Sequence, residues 1–457
     1  MSFSTTLNII RDITHATVAN HDDFQEEDVT IGICTDSRHL RAGEIFLALR
    51  GEQFDGHNFL AKANENGAIA CIVEEPLQDS DISVCVPQLV VNDTLVAYQQ
   101  IALWWRQQLT IPIVAITGSV GKTTTKELIA AVLGTQGNVL KTYANYNNEI
   151  GVPKTLLAID SSHNFAVVEM GMRAKGEIAL LSQIAQPDIA VITNVGTAHI
   201  GRLGSEQAIA DAKCELLAEM PQTSTAILNY DCPRLIETAA KVWQGKTITY
   251  GLTGGEVQGK LINSQTIEVD NTQFPLPLPG EHNAVNYLSA LAVAKSLGID
   301  WQRFTQNLSI NLPGGRSRRC ELPSDILLLD ETYNAGLEST LAALRLLKQT
   351  PGERHIAVLG TMKELGEHSA RLHRQVGETV KSLGIDQLFV LINDPEAKAI
   401  DDGADSIPSE CIETHEALIE RLLKTIQSGD RLLFKASNSV QLNRVVESLI
   451  EQYATEP

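Results

Sequence analysis

The sequence predicts an α/β protein of three domains, on three observations. Its 457 residues are about three times a usual domain length. Short apolar strand runs alternate with helical segments over most of the chain, the grammar of largely parallel, twisted sheets. Two proline-bearing interruptions, Ile111-Pro112 and Leu312-Pro-Gly-Gly315, stand where that alternation stops and restarts. The expected units are 1–108, 109–312 and 313–457.

In the first unit, Ile45–Leu49, Ala68–Val73 and Leu89–Val91 read as strands, and Thr94–Leu109 as a helix leading out. In the second, buried strands are expected at Ile113–Thr117, Phe165–Glu169, Ile189–Thr193 and Thr225–Leu228. The run Pro275-Leu-Pro-Leu-Pro-Gly280 interrupts, and a helix follows from Ala284 to Leu297, closed by Gly298 at C′. The third unit has strands at Ile326–Asp330, Ile356–Leu359, Leu388–Ile392 and Leu432–Lys435. Its helices are expected over Ser339–Lys348, Ser369–Leu383, His415–Ser428 and Val440–Tyr453.

Composition narrows the function. Hydrophobic residues make up 43% and charged residues 20%, which fits a soluble globular chain. A formal charge of -20 argues against a nucleic-acid partner, because phosphate backbones select basic surfaces. It leaves room for an anionic small substrate, since a few local cations or a metal ion reverse the sign within a pocket. The seven cysteines (34, 71, 85, 214, 232, 320 and 411) are scattered without CxxC, which predicts a reducing compartment. The opening MSFSTTLNIIRDIT is not patterned as a signal peptide, and no apolar run reaches spanning length. The expectation is a cytoplasmic monomer with no membrane insertion.

The strand Ile113–Thr117 runs into Gly118-Ser-Val-Gly-Lys-Thr-Thr-Thr125 and then a helix. This is where a nucleotide phosphate would sit. Glycines let backbone N–H groups turn inward, the helix N-terminus adds its dipole, Lys122 reaches the outer phosphates and Thr123 can ligate Mg²⁺. The loop is the short form G-x-x-G-K-T, because residue 116 is Ile where the longer form has Gly. Glu169 ends a neighbouring strand, and His199 follows another in a loop; both could face the triphosphate, although either type is also common as a capping or surface group. Ser205 is a plausible N-cap of the next helix. On that helix Lys213 shares a face with Ile209, Leu216, Leu217 and Met220. Two readings stand: a snorkelling lysine with its ammonium in water, or a desolvated one with a lowered pKa and a modifiable amine.

Several longer stretches occur in one order. They are Thr35-Asp-Ser-Arg38 with Gly43–His57, Thr117–Lys126, Asn145–Pro153, Glu169-Met-Gly-Met172, Asn194–His199, Gly280-Glu-His-Asn283 with Asn286, Asp330–Ala335 and Leu359–Gly366. With these the chain, from about residue 30 to 450, resembles the Mur ligases. That resemblance implies a first domain for the UDP end of a substrate, a second for ATP, and a Rossmann-like third that closes over the site. It implies the branch that joins D-alanyl-D-alanine to UDP-N-acetylmuramoyl-tripeptide through an acyl phosphate, in peptidoglycan precursor synthesis.

Residue by residue, the resemblance puts Ser37 and Arg38 at UDP. Thr117, Gly118, Ser119, Val120, Gly121, Lys122, Thr123 and Thr124 fall at ATP, and Asn283 and Asn286 on the side of its base. Arg316 and Asp330 would touch phosphate and ribose, with Arg318 or Arg319 as alternatives to Arg316. Asn148, Tyr333 and Asn334 would meet substrate. Lys122, Glu169, His199 and Lys213 would be catalytic, with Thr123 and Glu169 on one Mg²⁺ and His199 and a carbamylated Lys213 on a second. The chain departs from the family's usual third-domain pattern at Gly336, Leu337, Thr361 and Asn438. The rivals are the sister ligase adding lysine or diaminopimelate as third residue, a folylpolyglutamate-type ligase, and a non-catalytic nucleotide-binding regulator. The sister usually carries D-N-P-R, absent here, and the folylpolyglutamate type lacks the Thr35–His57 region.

Overall fold

Ile113–Thr117 is buried at all five positions and lies inside a nine-stranded sheet. The computed structural model describes residues 3–19, 24–76, 86–304, 308, 310, 312 and 314–455. Met1, Ser2, Cys85 and Pro313, on which parts of the sequence reading rest, lie outside the described residues. The other six cysteines are free thiols.

The order across the central sheet decides where chemistry can occur. Phe165–Glu169 pairs in parallel with one side of Ile113–Thr117, and Ile189–Ile192 with the other. From Ile113–Thr117 the chain goes out to the edge strand Val139–Lys141, returns as Phe165–Glu169 between the two, then crosses to the opposite side. The reversal leaves a crevice at the carboxyl ends of the strands, where open α/β sheets bind ligands. Register puts Glu169 beside Ile116 and Ile192 beside Thr117. The end of Phe165–Glu169 and the loop after Ile192 therefore flank the glycine turn.

Both faces of the sheet are covered, as continuous apolar strands require. On one face Leu128, Ile129 and Leu133 of the helix Lys122–Gly134 pack with Leu288 and Leu291 of the helix Glu281–Ser296. On the other, the helices Glu177–Ala185 and Glu206–Glu219 bury Ile178, Leu181, Ile209 and Leu216. Each such side chain contributes roughly 1.5–3 kcal/mol on burial. Beyond Thr225–Asn229 and Lys246–Gly251, the sheet ends in Val257–Asn263, Thr266–Val269 and Thr272–Pro275, a set of antiparallel pairs missing from the sequence reading. Their alternating burial marks one wet face, and Pro275 sits on an edge strand, where a missing donor costs nothing.

The first domain holds a five-stranded sheet, ordered Thr17–Ala19, Gln88–Val90, Ala70–Val73, Ile45–Leu47, Ile33–Cys34. The third holds six strands, five of them parallel, with Arg318–Leu322 antiparallel at one edge. The helix expected from Val440 begins instead at Asn443, after the short turn Asn438–Val440. Gln441 breaks it with a left-handed φ of 57°. No helix among the described residues is long and apolar enough to cross a membrane.

Candidate active site

The glycine turn is held from below by its neighbours. Ser119 N donates to Asn194 O at 3.1 Å, Val120 N to Asn194 Oδ1 at 3.0 Å, and Asn194 Nδ2 returns to Val120 O at 3.0 Å. Gly196 N donates to Ser119 Oγ at 2.9 Å, and Thr117 Oγ1 to Met170 O at 3.0 Å. A Cβ at Gly118 (φ 153°) would fall 1.9 Å from Thr193 Oγ1, and one at Gly121 (φ 82°) 2.8 Å from Asn286 Oδ1. Gly118 leaves no room for a side chain, one at Gly121 would be strained by its left-handed φ and would have to push Asn286 aside, and Asn286 is thereby set against the turn. Asn283 Nδ2 instead donates to Pro279 O at 2.9 Å, within the approach to its own helix.

Lys122 opens the helix Lys122–Gly134 and bends back, donating to Gly118 O at 2.7 Å. Burial pushes its pKa down; Glu169 opposes that, and Arg316 adds to it. Thr123 and Thr124 are buried in the first turn. Thr123 Oγ1 donates to Glu169 Oε2 at 3.0 Å, and Asn147 Nδ2 to Glu169 Oε1 at 2.9 Å. The hydroxyl and carboxylate oxygens side by side suit Mg²⁺, a hard ion. No cluster of three or more His, Cys, Asp or Glu among the described residues could hold a metal. An ion here would complete its shell with phosphate oxygens and water, which Mg²⁺ tolerates well.

Lys213 is 1% exposed, which speaks against the snorkelling reading, since that needs the ammonium out in bulk water. Burial drives its pKa well below the ordinary lysine value, and Lys122 pushes the same way. Ser205 caps its helix, accepting from Ala208 N at 3.1 Å. The His199 pKa is also lowered, first by burial and then by Lys122 and Lys213, against the pull of Glu364. Lys122, Lys213 and His199 thus lie near enough to disfavour one another's protonated forms. A neutral amine at Lys213 is a poor ligand for a hard ion such as Mg²⁺, which prefers oxygen.

The third domain supplies Arg316, whose guanidinium stacks 3.7 Å over the Tyr333 ring and adds to burial in lowering the pKa of both Lys122 and Lys435. Its Nε is buried without a hydrogen-bond partner among the described residues. Arg318 turns elsewhere, pairing with Glu447 and lying 3.7 Å from Asp330. Asp330 is buried and holds Thr332 through its N (3.1 Å) and hydroxyl (2.6 Å). It lines a cavity of about 490 Å³ with Arg318, Tyr333, Asn438 and Arg444. Asn334 O accepts from Lys435 Nζ at 3.1 Å.

In the first domain Ser37 is buried, while Arg38 is exposed and folded onto Asp36 through two bonds of 2.9 and 2.8 Å. Asn148 caps the helix Gly151–Leu157, accepting from Gly151 N at 2.9 Å, so its neighbour Asn147 is the one that reaches the carboxylate. Lys126 was also missed. It is 1% exposed, donates to Thr142 O at 2.8 Å and stands 3.9 Å from Glu169. A lysine one turn past the glycine loop, ahead of Glu127, was its only signal in the sequence.

Three family models match the chain in succession: "Mur ligase family, catalytic domain" over residues 30–104, "Mur ligase middle domain" over 116–294, and "Mur ligase, glutamate ligase domain" over 315–438. The chain belongs to the Mur ligase family. Among its relatives is the Synechocystis UDP-N-acetylmuramoyl-tripeptide–D-alanyl-D-alanine ligase, 57% identical over 430 residues and 94% of each chain. Of solved structures, MurF from Acinetobacter baumannii superposes with a TM-score of 0.88 at 31% identity, covering 98% of this chain and 99% of that one. MurF ligase from Thermotoga maritima, in complex with ADP, does so at 0.82 and 30%, covering 93% and 98%. Read as a Mur ligase, the chain has its middle and third matched domains meeting at the loop beside the glycine turn.

Proposed function

We propose that this protein joins D-alanyl-D-alanine to UDP-N-acetylmuramoyl-tripeptide at the expense of ATP, in peptidoglycan precursor synthesis. The observation that carries this reading is the convergence of Lys122, His199, Lys213 and Arg316 on a glycine turn flanked by Thr123 and Glu169, in a chain akin to the D-alanyl-D-alanine ligases along its length. Residues 1–108 would take the UDP end through Ser37 and Arg38. Residues 109–312 would take ATP on Thr117–Thr124, with Asn283 and Asn286 toward the base. Residues 313–457 would close with Arg316 on phosphate, Asp330 on ribose, and Tyr333 and Asn334 toward substrate, which Asn148 would approach from the middle domain.

A carboxylate is a poor acyl donor at neutral pH. Transfer of the γ-phosphoryl group to the terminal carboxylate of the peptide gives an acyl phosphate, and the free amine of D-alanyl-D-alanine then displaces phosphate. Lys122 and Arg316 offset charge on the transferred group, which is most of what phosphoryl transfer asks of a protein. Thr123 and Glu169 would hold one Mg²⁺, and His199 with a carbamylated Lys213 a second. Bound there, the metal supplies charge neutralisation and orientation of the triphosphate. The lowered pKa of Lys213 leaves neutral amine, which adds CO₂ and loses a proton to become a carbamate with two oxygens. Bicarbonate labelled with ¹³C should give a carbamate resonance that Lys213→Arg abolishes.

Phosphate release from purified protein tests the whole reading. Turnover is expected only with ATP, a UDP-N-acetylmuramoyl-tripeptide carrying lysine or diaminopimelate, and D-alanyl-D-alanine together. Turnover with a single amino acid on the dipeptide-stage nucleotide, and none with D-alanyl-D-alanine, would move the chain to the sister activity.

A further inference from the structure

The loop 194–204 is pinned on one side to the glycine turn by the Asn194 and Gly196 bonds described above. Its other side meets two carboxylates of the third domain. Glu338 accepts from Thr197 N at 2.7 Å and from its hydroxyl at 3.3 Å, and packs so closely that a Cβ on Gly196 would lie 2.5 Å from its carboxyl carbon. Glu364 lies 2.6 Å from His199 Nδ1 and 3.3 Å from Arg202, while its main-chain oxygen accepts from Gly201 N at 3.1 Å. Gly201 and Gly366 touch backbone to backbone: a Cβ on Gly201 would fall 2.6 Å from Gly366 N, and one on Gly366 2.8 Å from Gly201 Cα. His199 and Glu364 both hold φ of 66°, a left-handed conformation costly for residues with a side chain. Such strain persists only where surrounding contacts enforce it.

We propose that Glu338 and Glu364 form a two-point clamp through which the third domain fixes this loop, and that Glu364 is the positioning residue for His199. This rests on the ligase reading above. An acceptor at Nδ1 keeps the ring proton there and leaves the lone pair on Nε2, the arrangement that orients ligating histidines. The contact is off the line of a hydrogen bond here, and such contacts tighten in reacting complexes. The orienting group comes from a different domain than the histidine. His199 is therefore aimed only when the third domain is seated, which links domain docking to phosphoryl transfer.

Amide hydrogen exchange of the full-length, ligand-free protein tests the clamp, and steady-state kinetics tests the positioning. In Glu338→Ala and Glu364→Ala, the Thr197 and Gly201 amides should exchange at least about tenfold faster. Glu364→Ala should lose about 10–100-fold in kcat with little change in KM for the UDP-substrate. Glu364→Gln, which keeps an acceptor for Nδ1–H, should retain more kcat than Glu364→Ala. Gly201→Ala leaves both carboxylates but blocks the close approach, and should behave like Glu364→Ala. Unchanged exchange in all variants would remove the clamp. Faster exchange with wild-type kcat would reduce Glu364 to a packing contact and overturn the positioning role. If wild-type protein failed to use D-alanyl-D-alanine, the functional reading would fall, while the exchange data would still decide the clamp.

Discussion

Lys122 and Lys213 are both buried lysines, and they respond differently to removal. Lys122 offers charge to a transferring phosphoryl group, so Lys122→Ala should cost roughly a thousandfold or more in turnover, measured by phosphate release, with the fold intact by circular dichroism. Lys213 has no carboxylate or carbonyl partner among the described residues and carries the cost of desolvation itself. Its folded pKa lies below the ordinary value near 10.5. Between the two the unfolded chain holds a proton that the folded one lacks, so this term makes stability rise with pH. In bicarbonate-free buffer at pH 7, Lys213→Met should therefore be inactive yet more stable than wild type, by about 1–3 kcal/mol. That gain, read by denaturant titration, should shrink as pH climbs toward 10.5. A Lys213→Met variant less stable than wild type at pH 7 would mean the lysine is satisfied in a way its surroundings do not suggest. The residue type, the helix face and the apolar neighbours were legible in the sequence. Whether the ammonium reached water was not, because that depends on how the elements around the helix Glu206–Glu219 pack, which the pattern of one helix does not encode.

At the scale of elements, the strands that carry chemistry were legible for a simple reason. Ile113–Thr117, Phe165–Glu169 and Ile326–Asp330 are continuous apolar runs buried on both faces, so their limits coincide with a change of residue type. The antiparallel strands from Val257 to Pro275 have one solvated face and mixed composition, and they left no such mark. Loops are harder still, as the segment 360–366 shows. His373 is fully buried beneath it, with Nε2 accepting from Met362 N at 2.9 Å and Nδ1 2.8 Å from Ser369 O. The first bond requires a neutral ring, and burial lowers the pKa despite Glu396 and Asp394 nearby, with Lys363 acting in the same direction as burial. Since the folded value lies below the ordinary 6.5, the unfolded chain binds the extra proton first, and stability falls as pH drops below about 6.5 until the folded value is passed. His373→Gln should flatten that acid limb in thermal melts between about pH 6.5 and 5. A wild-type slope retained in the variant would place the acid lability elsewhere.

Across the whole molecule, the two joints between domains differ in kind. The third domain meets the middle one at the active-site loop through the Glu338 and Glu364 carboxylates, polar contacts of the sort that ligands can bias, beside apolar residues such as Ile200 and Leu365 that share one core cluster. The first domain is joined by a buried, hydrogen-bonded seam along the helix Thr94–Gln108. Trp105 Nε1 donates to Ile159 O at 3.1 Å and Gln99 Nε2 to Glu149 O at 3.1 Å. Arg106 is the centre of it: 9% exposed, it donates to Ala185 O, Gln186 O, Leu109 O and the Asp188 carboxylate at 2.9–3.2 Å. Asp188 also accepts from Ile113 N at 2.8 Å, so the same carboxylate ties the linker to the first strand of the middle sheet. Such a seam makes the first two domains one thermodynamic body. Arg106→Ala strips one buried and several part-buried acceptors of their donor at once and should cost about 1–3 kcal/mol. Because the cost falls on the joint rather than on either core, the single melting transition expected for residues 1–304 should split, the first domain melting before the middle one. Limited proteolysis should then cut near residues 109–112 in the variant and not in wild type. A uniform fall in melting temperature with one transition would show that the two cores remain coupled through their apolar contact alone.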